Sequence, residues 1–556
     1  MFISLLLASF LSIGLGPSND VSIGAIKNEI VEYRERYSSS FSTERGTIVS
    51  LYSGSPINYL KNGQYYPIDT SFKSEGDCYL SSENDHTVTL NKNTIIVDNS
   101  LIFTNLLSKE IQVKDNMVSC YDCNLYSLSD SLSFTKTLLS REGAYCYFNL
   151  NVELLNSYVL EKNDGLVTFT NHKSNCSFDL SSPLLLDDSN TYSFIPSSIS
   201  IYKYANEKYR ISYKYDVSKV SSQLFSLRGC LSYPTGSYHD YPYINNKYFQ
   251  VGYSSTYTTN LTIGESSLLD PLGNTPIYKT VYSLTLPTVP SNCHSIGSCS
   301  FFFKRYSGTQ SLAGVYHISN YIDYSSINGT SSLTTSFISN ASLSSSYSQI
   351  DIQSKVLKVY SDNNYSNVLN LLITGKQSNK TAILNGTSSS EGPYFTIEYS
   401  TSFGTSRAYN YTNDGSLNCY SYALFRPSVY YAENYLSSYY GNENLSNNDS
   451  LIKSGLISLL NLHCNSVTII KSHDELIPTT HRRIAIRLRY DTINYPHPFQ
   501  DYHVMWQCGD GSWAAIQGPS NVFTHNTNAN APTYESEWGN GYYNTNTFYF
   551  AIVSAA

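Results

Sequence analysis

The sequence predicts a multi-domain, mainly β protein with an N-terminal β-rich domain, a central β-sandwich and a C-terminal α+β domain. The chain has 556 residues, which is more than one hydrophobic core normally serves. Charged residues make up only 14% of the composition, against about 25% in average proteins. Tyr is unusually frequent, with 52 residues. Because Tyr and Thr pack well on half-buried strands and helix-forming residues are scarce, strands should dominate.

Residues 2–16 form one apolar stretch that ends in small residues. This pattern is typical of a signal-peptide core and is short for a membrane span. The alternative is an uncleaved anchor, because the usual basic segment before the apolar stretch is missing. We therefore predict a secreted or cell-surface protein with no stable membrane span once the signal peptide (1–16) is removed.

Asn-x-Ser/Thr sequons support an exported, glycosylated chain if the host is eukaryotic. The ten sequons lie at Asn175, Asn260, Asn328, Asn340, Asn364, Asn379, Asn385, Asn410, Asn444 and Asn448. The formal charge is −8, the isoelectric point is near 5.8, and no Lys/Arg cluster is present. This balance argues against a nucleic acid as the partner.

The N-terminal domain is expected over residues 17–217 and the central domain over 218–400. Short apolar runs alternate with Ser-Gly, Ser-Pro and Asn-Gly turns in the first, and residues 209–215 show the period-two pattern of a strand with one buried face. The clearest strands of the second are residues 281–287, 300–306 and 394–400. Cys293 and Cys299, between two of these strands, favour a disulfide, with free buried thiols as the alternative.

Two motifs in these domains resemble known bacterial modules. The segment NGQYYPIDTSF (residues 62–72) is similar to an NGK-x-x-x-IDNTL motif of wall-associated and Rhs-like secreted proteins. VYSLTLPTVPS and PYFTIEYS resemble the strands of DNRLRE domains, which are β-sandwiches like carbohydrate-binding modules. Tyr282 and Thr285 stand where that family usually has Leu and Phe. The resemblance implies a sandwich and says little about a ligand. Tyr-rich faces of such a sandwich could stack the sugars of a surface polysaccharide, and the alternative is that these rings fill the β surface.

The last domain, residues 401–556, has the sequence pattern of a helix as well as those of strands. Apolar residues recur at helical spacing over residues 451–462, which predicts an amphipathic helix capped by Asp449 or Ser450. Strands are predicted over residues 482–490 and 501–507. A Pro-bearing loop separates them, and the turn C-G-D-G follows the second strand.

Cys419 and His503 are the candidate catalytic pair of this domain. A Cys in the first turn of a helix is near unpaired N–H groups that favour the thiolate, and Asn418-Cys419 fits that placement. His503 lies in the middle of a predicted strand among apolar neighbours, where a general base for Cys419 could sit. The alternative is a structural Cys419 and an ordinary strand histidine.

The same residues resemble compact papain-like cysteine peptidases and amidases of the NlpC/P60 and CHAP groups. The likeness covers residues 418–518, through N-C-Y-S-Y-A-L, D-Y-H and D-G-x-W. It implies Cys419 as the nucleophile, His503 as the base, and an oxyanion held by the Cys419 N–H with the Asn418 side chain. Ala515 stands where the relatives have a His, which leaves Gln517 or Asn521 as the third member.

The cysteine count is consistent with this interpretation. Eleven cysteines in an exported protein suggest disulfides and leave one unpaired. In the last domain, a Cys464–Cys508 bond would leave Cys419 free, and the eight cysteines from Cys78 to Cys299 could pair among themselves. His463, His473 and His481 lack metal-ligand spacing, so we predict no metal and no cofactor.

Two functions follow from these patterns. The first is a secreted cysteine hydrolase that cleaves a peptide or amide bond, with peptidoglycan-like wall peptides as the natural substrate and proteins as the open alternative. Its two β-rich domains would position it on a polymeric surface. The second is a non-catalytic adhesin or carbohydrate-binding protein whose papain-like domain has decayed, which the missing His at Ala515 favours.

Overall fold

The structure is a computed structural model that confirms a mainly β protein built from several sheets. It describes residues 25–555 apart from 55, 93, 108–109, 129–130, 164–165, 172–175, 189–192, 234–241, 255, 258–260, 267–274, 320–323, 363–366, 388–391, 406–416, 427, 442, 447, 491–498 and 518–521. The predicted signal peptide lies outside this part of the chain. Within it, no helix is long and apolar enough to cross a membrane.

The first five strands do not form a domain of their own. They are β1 (Ile26–Glu29), β2 (Ser38–Thr43), β3 (Ile48–Ser53), β4 (Asn58–Lys61) and β5 (Gln64–Pro67). β4 and β5 form a separate hairpin. β1, β2 and β3 extend a large sheet whose other strands come from the middle of the chain.

Eighteen strands then form a closed antiparallel sheet around one apolar core. The strands are β6 (Lys73–Glu75), β7 (Cys78–Ser81), β8 (Val88–Asn91), β9 (Thr94–Val97), β10 (Leu101–Phe103), β11 (Gln112–Lys114), β12 (Met117–Ser119), β13 (Cys123–Ser127), β14 (Ser131–Glu142), β15 (Tyr145–Leu154), β16 (Tyr158–Asn163), β17 (Leu166–Asn171), β18 (Cys176–Leu180), β19 (Leu184–Asp187), β20 (Ser193–Phe194), β21 (Ser198–Ala205), β22 (Lys208–Asp216) and β23 (Leu224–Ser232). β22 buries Ile211, Tyr213 and Tyr215 at alternate positions, which confirms the predicted strand. The closed sheet continues past the expected boundary at 217 to Ser232.

The central region supplies most of a 15-stranded sheet. Its strands are β24 (Ile244–Gln250), β25 (Thr256–Tyr257), β26 (Leu261–Glu265), β27 (Ile277–Thr285), β28 (Ser295–Gly308), β29 (Leu312–Ile318), β30 (Thr335–Ser342), β31 (Tyr347–Asp351), β32 (Val368–Gly375), β33 (Thr381–Leu384), β34 (Tyr394–Ser400) and, from the last domain, β36 (Ile477–Pro478). The first half of β28 pairs with β34, and from Arg305 it pairs with β33. One strand therefore joins two layers, and the core between them includes Tyr282 and Phe301, whose ring centres are 5.3 Å apart.

The last domain combines helices with a six-stranded antiparallel sheet of order β35-β41-β37-β38-β39-β40. Its remaining strands are β35 (Cys464–Ile470), β37 (Arg482–Tyr490), β38 (Phe499–Gln507), β39 (Trp513–Gln517), β40 (Val522–Asn526) and β41 (Phe548–Ser554). The four α-helices of the described chain are α1 (Gln353–Ser361) of the central region and α2 (Cys419–Ala423), α3 (Ala432–Tyr440) and α4 (Asp449–Asn461) of this domain. Apolar cores pack on both faces of the sheet, and the three helices contribute to one of them.

The predicted cap of α4 is wrong by one or two positions. The helix starts at Asp449, and its N-cap is Asn448, whose side-chain oxygen accepts a hydrogen bond from the backbone N–H of Leu451 at 3.2 Å. Asn caps a helix as well as Asp or Ser does, so three adjacent polar residues could not be separated by residue type alone.

The predicted disulfides Cys293–Cys299 and Cys464–Cys508 are also wrong, because none of the ten cysteines whose side chains the structure describes forms a disulfide. Cys464 and Cys508 lie at strands separated by β41 and β37, and three strand spacings of about 4.8 Å exceed the reach of a disulfide. Cys299 lies inside β28, because that strand begins at Ser295, so the chain after Cys293 is extended and not a closed loop. Cys120 and Cys123, across a hairpin turn, are joined by a side-chain hydrogen bond.

The sequons differ in accessibility. Asn340, Asn379, Asn444 and Asn448 are exposed, Asn328 is half-buried, and the other sequons except Asn385 lie outside the described residues. Asn385 is only 4% exposed. Since a glycan needs a surface side chain, Asn385 is closed to glycosylation in this fold.

Candidate functional site

Cys419 is the first residue of α2, as predicted. The side-chain oxygen of Asn418 caps this helix by accepting the backbone N–H of Ser421 at 2.9 Å. The Asn418 amide nitrogen donates to the Tyr430 carbonyl at 2.8 Å and to the Tyr502 hydroxyl at 3.4 Å. Asn418 therefore holds the start of α2 in place. Both hydrogen bonds of the Asn418 amide group are thus donated to protein atoms. The backbone N–H of Cys419 is therefore a better candidate than the Asn418 side chain for binding an oxyanion.

The thiol of Cys419 lies against the open edge of β38. β39 pairs with β38 only at Trp506 and Gln507. Within the described chain, the part of this edge that precedes Trp506 has no neighbouring strand, and α2 packs against it. The thiol donates to the Tyr502 carbonyl at 3.9 Å and accepts the backbone N–H of Val504. These are the residues on either side of His503, so the thiol contacts the backbone of the strand segment that carries His503, while the His503 ring packs against Trp538 and Tyr543.

His503 is the middle residue of β38 and is buried, with 2% of its surface exposed. Its ring stacks on Tyr543 at a centre distance of 5.4 Å and meets Trp538 edge-on at 5.8 Å. Among the described residues, its Nε2 atom has no hydrogen-bond partner. A buried imidazole nitrogen without a partner is costly unless a ligand or a reacting group uses it.

The resting pair is electrically neutral. Burial raises the pKa of the Cys419 thiol to about 12, although the Val504 N–H acts in the opposite direction. Burial also lowers the pKa of His503 to about 4. At neutral pH the chain thus holds a thiol and an uncharged imidazole, in contrast to the thiolate that the helix position alone favours.

The residues around His503 come from a segment that the sequence patterns did not single out. Trp538 closes a short 3₁₀ turn (Glu535–Trp538), and its indole N–H donates to the Pro532 carbonyl at 2.9 Å. The Tyr543 hydroxyl donates to Asp501 at 3.2 Å, which fixes the ring over His503. The sequence signal that could have identified this segment is a Trp and two Tyr in a Gly-rich stretch. The stretch has neither helical nor strand periodicity.

The third catalytic member is not identified by geometry. Ala515 is fully buried in the apolar core that contains Trp538 and Met505. Gln517 is the last residue of β39 and pairs with Val522 through its backbone. Its side chain and the whole of Asn521 lie outside the described residues.

The three histidines that were considered as metal ligands have ordinary polar partners. His463 contacts the Tyr420 hydroxyl at 2.9 Å, His473 contacts Asn530 at 2.7 Å, and His481 contacts Ser466 at 3.1 Å. None of them belongs to a group of metal-ligand atoms among the described residues.

No protein-family model matches the chain, and a search of curated proteins found no match.

Proposed function

We propose that the chain is a secreted cysteine hydrolase that cleaves peptide or amide bonds. The observation that carries the proposal is the position of the Cys419 thiol, which hydrogen-bonds the backbone of β38 on both sides of His503. The unpartnered Nε2 of His503 is a second support, because a general base needs a free nitrogen.

The reaction would be acyl transfer in two halves. The Cys419 sulfur forms a bond to the carbonyl carbon of the substrate while its proton passes to His503. The C–N bond then breaks, and His503 returns the proton to the leaving amine. Water, deprotonated by His503, hydrolyses the thioester and restores the thiol. The backbone N–H of Cys419 would stabilise the oxyanion of each tetrahedral intermediate.

Substrate has to open this site, because Cys419 is only 9% exposed. The neutral state of the pair agrees with a closed resting form, and catalytic hydrogen bonds are often long or absent before substrate binds. Wall peptides are the first substrate class to test, since the motifs of the chain resemble those of wall-associated enzymes.

The test of the proposal is a digestion panel. Purified full-length chain is incubated with peptidoglycan sacculi, with casein and with a set of chromogenic peptides, and the products are identified by mass spectrometry. We expect new amino termini from at least one of these substrates. Failure to cleave any member of the panel would overturn the hydrolase proposal.

Alkylation of Cys419 should be slow at neutral pH and strongly pH-dependent. The reactive species is the thiolate, and a pKa of about 12 means that its fraction rises about tenfold for each pH unit below that value. Iodoacetamide labelling of the native chain between pH 7 and 10, followed at Cys419 by mass spectrometry, measures this rise. Rapid, pH-independent labelling near pH 7 would contradict the neutral resting pair.

A second function, binding of a surface polysaccharide, is supported by a tyrosine band on the closed sheet. The band consists of Tyr147, Tyr202 and Tyr204, which are 40%, 67% and 45% exposed. These residues point outward from β15 and β21, the two neighbours of β22. Polar side chains lie between them, for example Ser212, which donates to Asn149 at 2.5 Å. Flat rings next to hydrogen-bonding groups suit the faces and hydroxyls of sugars.

Replacing Tyr202 and Tyr204 by Ala should weaken binding to insoluble polysaccharide about tenfold, at roughly 0.5–1.5 kcal/mol for each lost aromatic contact. Co-sedimentation with purified sacculi and with cellulose measures the loss. Tyr121→Ala is the matched control, because Tyr121 is 87% exposed on another hairpin of the same sheet. Equal binding by the double variant and this control would exclude the tyrosine band as the binding surface.

A further inference from the structure

Three metal-ligand side chains converge at the far end of the hairpin that carries His503. Cys508 follows β38, Asp510 lies in the turn to β39, and His525 is on β40. One ligand atom from each lies within 4.8 Å of the other two. Cys508 is buried, whereas Asp510 and His525 are exposed, so the cluster has one protected side and one open to solvent.

Ser512 holds this cluster together. Its hydroxyl donates to the Asp510 carboxylate and contacts His525 Nε2 at 2.7 Å. It also hydrogen-bonds the Cys508 thiol. A hydroxyl has one proton and two lone pairs, so Ser512 can accept from His525 and Cys508 while donating to Asp510. The three ligand side chains are thus gathered around one point before any ion is present.

We propose that Cys508, Asp510 and His525 form a binding site for a zinc-type divalent cation. Sulfur, imidazole nitrogen and carboxylate oxygen are the three ligand types that Zn²⁺ accepts in tetrahedral geometry, with water as a fourth ligand. Ca²⁺ and Mg²⁺ prefer oxygen-only sites, which makes this set unsuitable for them. Binding releases the Cys508 proton and leaves the Ser512 hydroxyl as a hydrogen-bond partner of the ligands.

An ion bound at this site would cross-link the three-stranded meander β38–β39–β40. Cys508 and Asp510 belong to its first turn and His525 to its third strand, so an ion would add a direct link between parts of the chain that otherwise meet through backbone pairing and the Ser512–His525 contact. Since Cys508 is five residues beyond His503, about 16 Å along an extended strand, the ion would not touch the candidate catalytic pair. Its role would be structural.

Cobalt titration of the purified full-length chain tests the site, because Co²⁺ replaces Zn²⁺ and its bond to a thiolate gives a charge-transfer absorption. We expect one equivalent of Co²⁺ to produce this absorption and Zn²⁺ to displace it. Zn²⁺ should also raise the temperature of unfolding.

Cys508→Ser and Asp510→Asn should each weaken Co²⁺ binding at least about tenfold. Asp510 is exposed, so its replacement leaves the core intact, and near-ultraviolet circular dichroism checks the fold of both variants. Cys464→Ser, which removes another buried thiol of the same domain, should bind as the unmodified chain does. The proposal is overturned if no thiolate–cobalt absorption develops, or if Cys508→Ser and Cys464→Ser bind Co²⁺ equally.

Discussion

Replacing Cys419 by Ala is expected to abolish hydrolysis of any substrate that the chain cleaves. The acyl-enzyme cannot form without the sulfur, and loss of a nucleophile typically lowers kcat by about 10⁴-fold or more. Since the Cys419 side chain is buried at the edge of β38, removing one sulfur atom leaves a small cavity and should leave the fold intact. Rates are measured on the best substrate of the digestion panel.

Two further variants separate chemistry from structure in this experiment. His503→Gln keeps a side chain of similar size but cannot act as a base, so it should reduce kcat by a comparable factor. Cys464→Ala removes a buried free thiol on β35 and should retain full activity. Hydrolysis that persists in Cys419→Ala would show that another group attacks the substrate.

Replacing Arg483 by Ala is expected to lower the free energy of unfolding by about 3–5 kcal/mol. Arg483 is 1% exposed on β37 and donates to three oxygen atoms, one buried and two partly buried. It donates to the Gln507 side chain at 2.8 Å and, through Nη2, to the carbonyls of His294 and Glu475 at 2.7 Å each. The variant removes this donor from all three acceptors, and it breaks the hydrogen bond that links the last domain to the central sheet at His294.

Urea unfolding followed by tryptophan fluorescence measures this effect. Arg489→Ala is the matched control, because Arg489 lies on the same strand, is partly exposed and places its guanidinium 4.0 Å from the ring centre of Tyr542. Its loss should cost about 0.5–1 kcal/mol. Arg483→Lys should recover only part of the stability, since an ammonium group cannot reach three fixed acceptors as a guanidinium does. Equal midpoints for Arg483→Ala and Arg489→Ala would contradict the bridging role.

Local patterns predicted individual strands well. β34 and β37 begin and end where the sequence placed them, because both are rich in aromatic or branched residues and are bounded by turn residues. Cys419 as the first residue of a helix was also predictable, since Asn418 is a strong N-cap residue.

Long-range partners were not predictable from the same patterns. Nothing in the sequence of β3 specifies that it pairs with β34, and the disulfide between Cys293 and Cys299 was inferred from a loop that is in fact the start of β28. The cluster of Cys508, Asp510 and His525 escaped notice because its members are brought together by strand register and not by a fixed spacing. The burial of Cys419 likewise depends on which edge of β38 is left open.

The pairing of β3 with β34 also constrains how the chain can be made. Tyr52 and Tyr399, whose hydroxyls touch across these strands, are 347 positions apart. At a synthesis rate of roughly 5–20 residues per second, the amino-terminal strands wait about 20–70 s for their partner. During that time the closed sheet between them can already fold, whereas β1–β3 expose unpaired backbone that invites aggregation. The central sheet is therefore expected to be the last unit to mature, and chaperone protection matters most for the first 30 residues after β1 begins.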